Sequence, residues 1–432
     1  MILLRVCLFA LLLAFLVAGC SEQDEDQAAT DQTVGTPAET ADLMGYRESA
    51  YDTHFPTERV NLNGSRSLSN VGFDRNVDAG DVEVSTIPIP YPVMLYTRNQ
   101  DEIFVLGGTP LILEDNVASI DGLPPGDNET SPYFAKYSPS TGAITSVDLD
   151  RGQGLPYVGG ALVHADGFVY VVSQSHLYKF NPATMAIESS LALPVLDPLT
   201  FYNGLTTGRT GELILKATRL VENGGGLLVL VDGASMEIVF SDECACATPR
   251  LSLAVDENGV EHVYHLNRQN TFRYIVEPGL LTLDENWIIR FDPDGTGINE
   301  EPTSPAIVNG NVYYTTNTAR GSPLPMRVFW QSVNQPYTPD MPALTGPLLF
   351  TDPEEQPGWT FGGISGDEAS GILFGQDQAR GLLNAFTPSD DGSIDILWQR
   401  PLTVGSSGFV VSDREVLYAT DYSDGANHLV VL

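Results

Sequence analysis

Few side chains in this sequence stand in patterns that could do chemistry, and the first pattern is "CAC", Cys244 and Cys246. In an oxidising compartment the two could close a small disulfide, since two residues of separation lies near the short end of what the bond geometry allows. They could instead give two thiolates to a soft metal, although no third ligand stands nearby and the spacing is not that of a zinc site, or they could do redox chemistry. We expect the disulfide. The second pattern is "DPDGTGINEE" from Asp292, with oxygen-bearing side chains at alternate positions and Gly297 at the bend, as in a calcium loop. Its twelfth position, where such a loop needs a bidentate Glu, is Thr303, so a plain hairpin is expected there. The six histidines, His54, His164, His176, His262, His265 and His428, are scattered. His262 and His265 share a strand-like run but fall on opposite faces, so they cannot chelate one metal together. There is no Gly-x-Ser-x-Gly elbow, no phosphate loop and no His-Glu-x-x-His pair, and we expect no metal site.

The elements that would position these residues come from a repeat. "YSPSTGAITSVDL" at Tyr137 returns as "FNPATMAIESSL" at Phe180, "VDGASMEIVF" at Val231 and "FTPSDDGSIDILW" at Phe386. Ahead of each turn stand a short run with small residues, a turn rich in Gly, Asp and Asn, and a β-branched and aromatic run such as "FVYVV" at Phe168 or "VYYTT" at Val312. Seven such units can be counted, each of about 50 residues, in the period range of propeller blades. No segment shows a long amphipathic 3.6-residue period. The expected fold is therefore all-β, a single β-propeller of seven blades, with six or eight as alternatives. The recurrent turn would join the third and fourth strands of each blade, with Pro presetting φ and Gly supplying positive φ. "HLVVL" at the end of the chain matches "HLYKF" at His176, so the last blade stops at its third strand. An N-terminal strand, "VEVSTIPI" at Val82–Ile89, is expected to close it from outside. Residues 45–81 would then be an extension against the outside of the ring, and residues 82–432 the propeller domain.

The repeat "[YF]-x-P-x-T-G" between strands resembles that of the quinoprotein-like (PQQ-like) propellers. That resemblance implies either of two roles. The superfamily includes periplasmic alcohol dehydrogenases with a bound quinone, and also non-catalytic lipoproteins that help assemble outer-membrane proteins. The dehydrogenases carry adjacent cysteines over the cofactor and a calcium ion, whereas Ala245 separates the cysteines here and the chain is shorter than those enzymes usually are. No cofactor is therefore expected, with calcium or pyrroloquinoline quinone as the alternative.

In propeller topology the loops joining second and third strands share one face with the connections between blades. "NTARG" puts Arg320 and "DQARG" puts Arg380 in register on that face. Arg219 and Arg268 fall in the same loop of the two preceding blades, and Arg250 enters the fourth blade there. Such a rim would bind an anion, a carboxylate, sulfate or acidic glycan, through forked guanidinium contacts. The competing reading is that each arginine neutralises a local acid such as Asp377 or Glu222.

The start of the chain reads as an export signal over residues 1–19, one positive charge at Arg5 followed by "VCLFALLLAFLVA". "LVAGC" resembles the lipobox of bacterial lipoproteins, which implies cleavage before Cys20 and its acylation. Several acyl chains on Cys20 would anchor the protein more firmly than one. Ser21, where inner-membrane members often carry Asp, points to the outer membrane, facing the periplasm. Residues 20–44 are acidic and poor in aromatic residues and read as a tether. The net charge of −35, with Asp+Glu 56 against Lys+Arg 21, argues against nucleic acid as a partner. It suits a saline habitat equally well. The expected function is binding or scaffolding at the outer membrane, for a protein partner or an anionic small molecule or glycan. The alternative is a periplasmic propeller enzyme, a quinoprotein-like oxidoreductase or a lactonase-type hydrolase with a metal on the channel axis.

Overall fold

The recurrent turn does join third and fourth strands, and the blades follow from it. The structure, a computed structural model, describes residues 50, 57, 66–68, 89, 92–108, 132–150, 159–219, 225–247, 249–267, 270–291, 301–317, 325–341, 343–350, 358, 360, 363–378, 380–402, 410–412, 416–423 and 426–432. The expected signal peptide, Cys20 and the tether lie outside the described residues. Every regular element among them is a β-strand, and no helix is long and apolar enough to cross a membrane.

A two-residue strand, β1 (Ser67–Leu68), precedes the repeats. Blade 1 is β2 (Pro92–Asn99), β3 (Glu102–Gly107), β4 (Tyr133–Ser138) and β5 (Ala143–Asp148). Blade 2 is β6 (Gly160–Val163), β7 (Val169–Ser173), β8 (His176–Phe180) and β9 (Ile187–Ala192). Blade 3 is β10 (Thr200–Thr207), β11 (Leu213–Arg219), β12 (Gly226–Asp232) and β13 (Glu237–Cys244). Blade 4 is β14 (Ser252–Val255), β15 (Glu261–Leu266), β16 (Asn270–Glu277) and β17 (Leu280–Arg290). In blade 5, β18 (Glu301–Pro302) and β19 (Ala306–Val308) both pair with β20 (Asn311–Asn317), which pairs in turn with β21 (Val328–Ser332). Its fourth strand is reduced to one bridge, Arg327 to Leu348. Blade 6 is β22 (Ser365–Gly366), β23 (Leu373–Asp377), β24 (Leu382–Pro388) and β25 (Ile394–Pro401). Blade 7 is β26 (Val410–Ser412), β27 (Val416–Ser423) and β28 (Ala426–Val431). Among the described residues there are thus seven sheets, antiparallel except where β1 joins β26, which makes seven blades rather than six or eight.

Burial explains why the blades need one another. Most inner strands are buried, although β2 is half-buried over much of its length, whereas β5, β9 and β25 are exposed or half-buried because each is an outermost strand. Blades 1 and 2 share Phe104, Phe134, Val169 and Phe180, blades 2 and 3 share Tyr170, Val172, Tyr202 and Leu213, and blades 5 and 6 share Val328, Leu349, Leu373 and Phe386. Each fully buried side chain of this size contributes about 1.5–3 kcal/mol, and an isolated sheet would leave both faces wet. Two of the chain's three lysines staple successive blades near the recurrent turn. Lys136 Nζ donates to Pro182 O of the next blade at 2.8 Å, and Lys179 Nζ donates to Gly233 O at 2.8 Å.

The turn itself departs from expectation in one respect. Gly142 supplies positive φ in blade 1, but Met185 and Met236 hold the same conformation, φ 59° and 57°, in blades 2 and 3. The same bond recurs in all three, from Gly142 N to Ser138 O, Met185 N to Asn181 O and Met236 N to Asp232 O. Both methionine side chains are buried in the cores between blades, so apolar burial offsets the left-handed backbone. In blade 4 the turn is Pro278–Gly279, between β16 and β17. "DPDGTGINEE" therefore does not form that hairpin. Asp292 comes after β17 in the sequence, and residues 292–300 lie outside the described residues.

The N-terminal extension also corrects the sequence reading. Thr57 bridges Leu162 and Ala50 bridges His164, both antiparallel, on the edge of β6 that faces away from β7. β1 pairs in parallel with β26, and Val411 N donates to Arg66 O. First strands line the channel of a propeller, so these residues lie inside the ring and not against its outside. Ala50 is also buried in the cluster that joins blades 3, 4 and 5, a combination open only to a residue on the channel side. The physical reason is that the inner edge of a first strand presents unpaired N–H and C=O groups that need partners. The last blade does take an N-terminal strand, β1, at its inner edge. Val82–Pro88 of the expected outer strand lie outside the described residues, and Ile89 packs on blade 1.

Candidate functional site

One end of the ring carries the loops from second to third strands and the connections between blades; the other carries the tight turns. Sequence-predicted site residues gather at the former, the loop end. Arg219 closes β11, and its Nη1 donates to Asp197 Oδ2 at 3.2 Å, tying the loop of blade 3 to the connection from blade 2. Burial works to raise the Asp197 pKa, but the Leu199 N–H and the Arg219 guanidinium outweigh it and hold the carboxyl below its ordinary value. Arg250, entering blade 4, donates from Nη1 to Gly159 O at 2.9 Å and so reaches the entry of blade 2. Gly159 must be glycine, since its φ is +100° and an added Cβ would meet Val172 O at 1.7 Å. Arg380 pairs with Asp377 and lies 5.2 Å from the centre of the Phe350 ring. Arg268 and Arg320 lie outside the described residues. In blade 6 the loop end is strongly polar, with Gln376, Asp377, Gln378 and Asn384 all buried and both amide atoms of Gln376 without a hydrogen-bond partner among the described residues.

Cys244 and Cys246 are joined by a disulfide at the end of β13, with Cα atoms 5.2 Å apart. Room for it comes from Gly226, where a Cβ would meet Cys246 Cβ at 3.2 Å and Ala217 O at 1.9 Å. Cys246 has no exposed surface, and its Sγ lies 3.6 Å from His265 Nδ1. Burial first, and the Lys216 cation second, push the His265 pKa down to about 3, so the ring is neutral. Lys216 is itself fully buried in β11 and donates to Ala247 O at 2.6 Å. Sequence reasoning missed Lys216. The signal was there, one of only three lysines set inside the apolar run "LILK". His262 points the other way, as its spacing from His265 requires. Its Nε2 lies 3.2 Å from Asp256 Oδ2, and burial lowers its pKa. On that same face Arg273 and Asp284 form a buried ion pair, N to O 2.6 Å, against Trp287 and blade 5.

Among the described residues, no group of three or more His, Cys, Asp or Glu could hold a metal ion. These residues do not fit the quinone or calcium that the resemblance allows. Cys246 presents no surface on which a planar ring could lie, and no acidic cluster among the described residues could take calcium.

No protein-family model matches the chain, and no curated protein matches it. Among solved structures, it is similar to the quinohemoprotein alcohol dehydrogenase from Comamonas testosteroni, with 9% identity, TM-score 0.56, and coverage of 86% of this chain and 70% of that one. The fold the two share is a β-propeller. The Dos1 propeller matches with 13% identity and TM-score 0.45, over 82% of this chain and 79% of that one. A putative 6-phosphogluconolactonase from Bacteroides fragilis matches with 12% identity and TM-score 0.43, over 77% and 94%. At 9% identity the likeness to the dehydrogenase speaks for fold and not for activity.

Proposed function

We propose that this propeller is an exported lipoprotein, anchored to the outer membrane through Cys20, whose loop end binds a partner through anionic groups. The observation that carries the reading is the delivery of Arg219, Arg250 and Arg380 to one end of the ring from separate blades, in a chain of net charge −35. Their roles divide. Arg380, 11% exposed and held by the fully buried Asp377, shapes its loop. Arg250 ties two blade entries together. Arg219 is the best placed of the three for a ligand, with its side chain 28% exposed beside an Asp197 at 32%. An incoming carboxylate or sulfate would exchange with Asp197 on the guanidinium fork. The charge of the rest of the surface would turn away nucleic acid and favour a compact anionic epitope on a protein, glycan or small molecule.

The test is titration calorimetry with a panel of sulfated and carboxylated glycans and acidic peptides. Arg219→Gln should weaken binding at least about tenfold, the loss of one charge-assisted bond pair, and Asp197→Asn should strengthen it. Unchanged affinity in both variants would remove the site. The anchor is tested separately: Cys20→Ser should abolish labelled palmitate incorporation and release the protein from membranes, and retention of both would remove the lipoprotein reading.

A further inference from the structure

The disulfide and its neighbours make a second site, independent of the arginines. We propose that Cys244–Cys246 is a thiol–disulfide exchange site that accepts two electrons from a dithiol, small or protein-borne, at the loop end of blade 3. A structural clasp is a poor account of it. The bond spans only Ala245, and the loop-closure entropy a disulfide removes from the unfolded chain is least for the shortest loops. The strand it ends is already held, since β13 pairs with β12 along its length from Glu237 to Cys244.

The surroundings suit a reaction with direction. Cys244 keeps 8% of its surface exposed and Cys246 keeps none, so of the two an attacking thiolate would take Cys244. The sulfur–sulfur bond breaks, its electron pair passes to Cys246 Sγ, and Cys244 is left in a mixed disulfide with the dithiol. The second thiolate of the dithiol then attacks its own sulfur in that mixed disulfide and leaves as the oxidised partner, with Cys244 released as a thiolate. Two electrons and the two protons of the dithiol end on the cysteine pair.

The buried leaving sulfur is provided for. A thiolate in apolar surroundings is costly, but a nearby cation or N–H donor offsets that cost. Lys216 Nζ is hydrogen-bonded at 2.6 Å to the carbonyl of Ala247, the residue that follows Cys246, and its charge is felt by His265, whose Nδ1 faces that sulfur. His265, neutral, presents Nδ1 toward Cys246 Sγ at 3.6 Å and can donate its proton as a hydrogen bond to a thiolate. Lys216 and His265 are positioning residues, since they act on the leaving sulfur and not on the dithiol.

The experiment equilibrates the purified protein, in native buffer, with mixtures of reduced and oxidised dithiothreitol. Samples are quenched by alkylation and the peptide bearing both cysteines is read by mass spectrometry, with near-ultraviolet circular dichroism to confirm that the ring stays folded. Reversible two-electron reduction of folded protein is expected. Lys216→Met should shift the dithiol-to-disulfide ratio toward disulfide by about tenfold at fixed poise, about 30 mV, and His265→Asn should shift it the same way by less. Trapping needs neither of those variants to fold. Cys246→Ser should take up glutathione on Cys244, and Cys244→Ser should leave Cys246 unreactive. Reduction that occurs only with unfolding, a ratio unmoved in both Lys216→Met and His265→Asn, or glutathione on Cys246 and not Cys244 would each overturn the proposal.

Discussion

Replacing Met185 by glycine and, separately, by alanine tests the account of the recurrent turn. Met185 sits at φ 59° with its N–H bonded to Asn181 O at 2.8 Å and only 3% of its surface exposed. The left-handed conformation costs an L-residue about 1–2 kcal/mol, while burying the side chain returns about 1.5–3 kcal/mol. Met185→Ala keeps the backbone cost and loses the burial, so it should destabilise by about 2–5 kcal/mol once the cavity is included. Met185→Gly loses the same burial but escapes the backbone cost, less about 0.5–1 kcal/mol of extra chain entropy. Glycine should therefore be the more stable of the two by about 1 kcal/mol, the reverse of the order found in ordinary strands and helices. Urea unfolding followed by tryptophan fluorescence, with constant slopes among the variants, measures the difference. Met236, in the next blade, should behave alike. An alanine variant as stable as glycine or more so would refute the claim that burial holds these turns left-handed.

Breaking the buried pair by Asp284→Asn should cost about 3–5 kcal/mol, because Arg273 is left charged between blades 4 and 5; the double variant Arg273→Met, Asp284→Leu should recover most of it. The same unfolding assay decides, and equal losses in both variants would contradict the reasoning. His265 makes stability depend on pH. Its folded pKa of about 3 lies below the unfolded value of 6.5, so its neutral form is favoured in the fold, stability is full above pH 6.5 and falls as pH drops toward 3. His265→Asn should flatten that part of a stability-versus-pH curve measured by urea midpoints. Deleting residues 1–68 should expose the inner edges of β6 and β26, raising amide exchange at Val411, whose N–H bonds Arg66 O. Exchange at Val411 unchanged by the deletion would place the segment elsewhere.

The architecture was legible because its signal is periodic. "YSPSTG", "FNPATM" and "VDGASM" each mark one joint between third and fourth strands, and the seven units they punctuate are the seven sheets. Isolated features were less legible. "DPDGTGINEE" has the composition of a turn, but composition does not say which turn. Pro278–Gly279 had already taken the hairpin of blade 4 in fewer residues. The opposite faces of His262 and His265 followed from strand period alone. Their partners did not, since Asp256, Cys246 and Lys216 reach them from other strands or another blade.

What the sequence determined by itself was local: where strands begin and end, which turns recur, that Cys244 and Cys246 stand one alanine apart, and that charge is strongly negative. These depend on neighbours a few residues away, and so the linear order contains them. The tertiary structure decided which arginine meets which acid, that Lys216 bonds the carbonyl of the residue after the disulfide, and that Ala50, Thr57 and Ser67 meet the inner strands. Those contacts join residues distant in sequence through the closing of a ring. An unpaired strand edge inside that ring binds whichever segment of the chain can reach it.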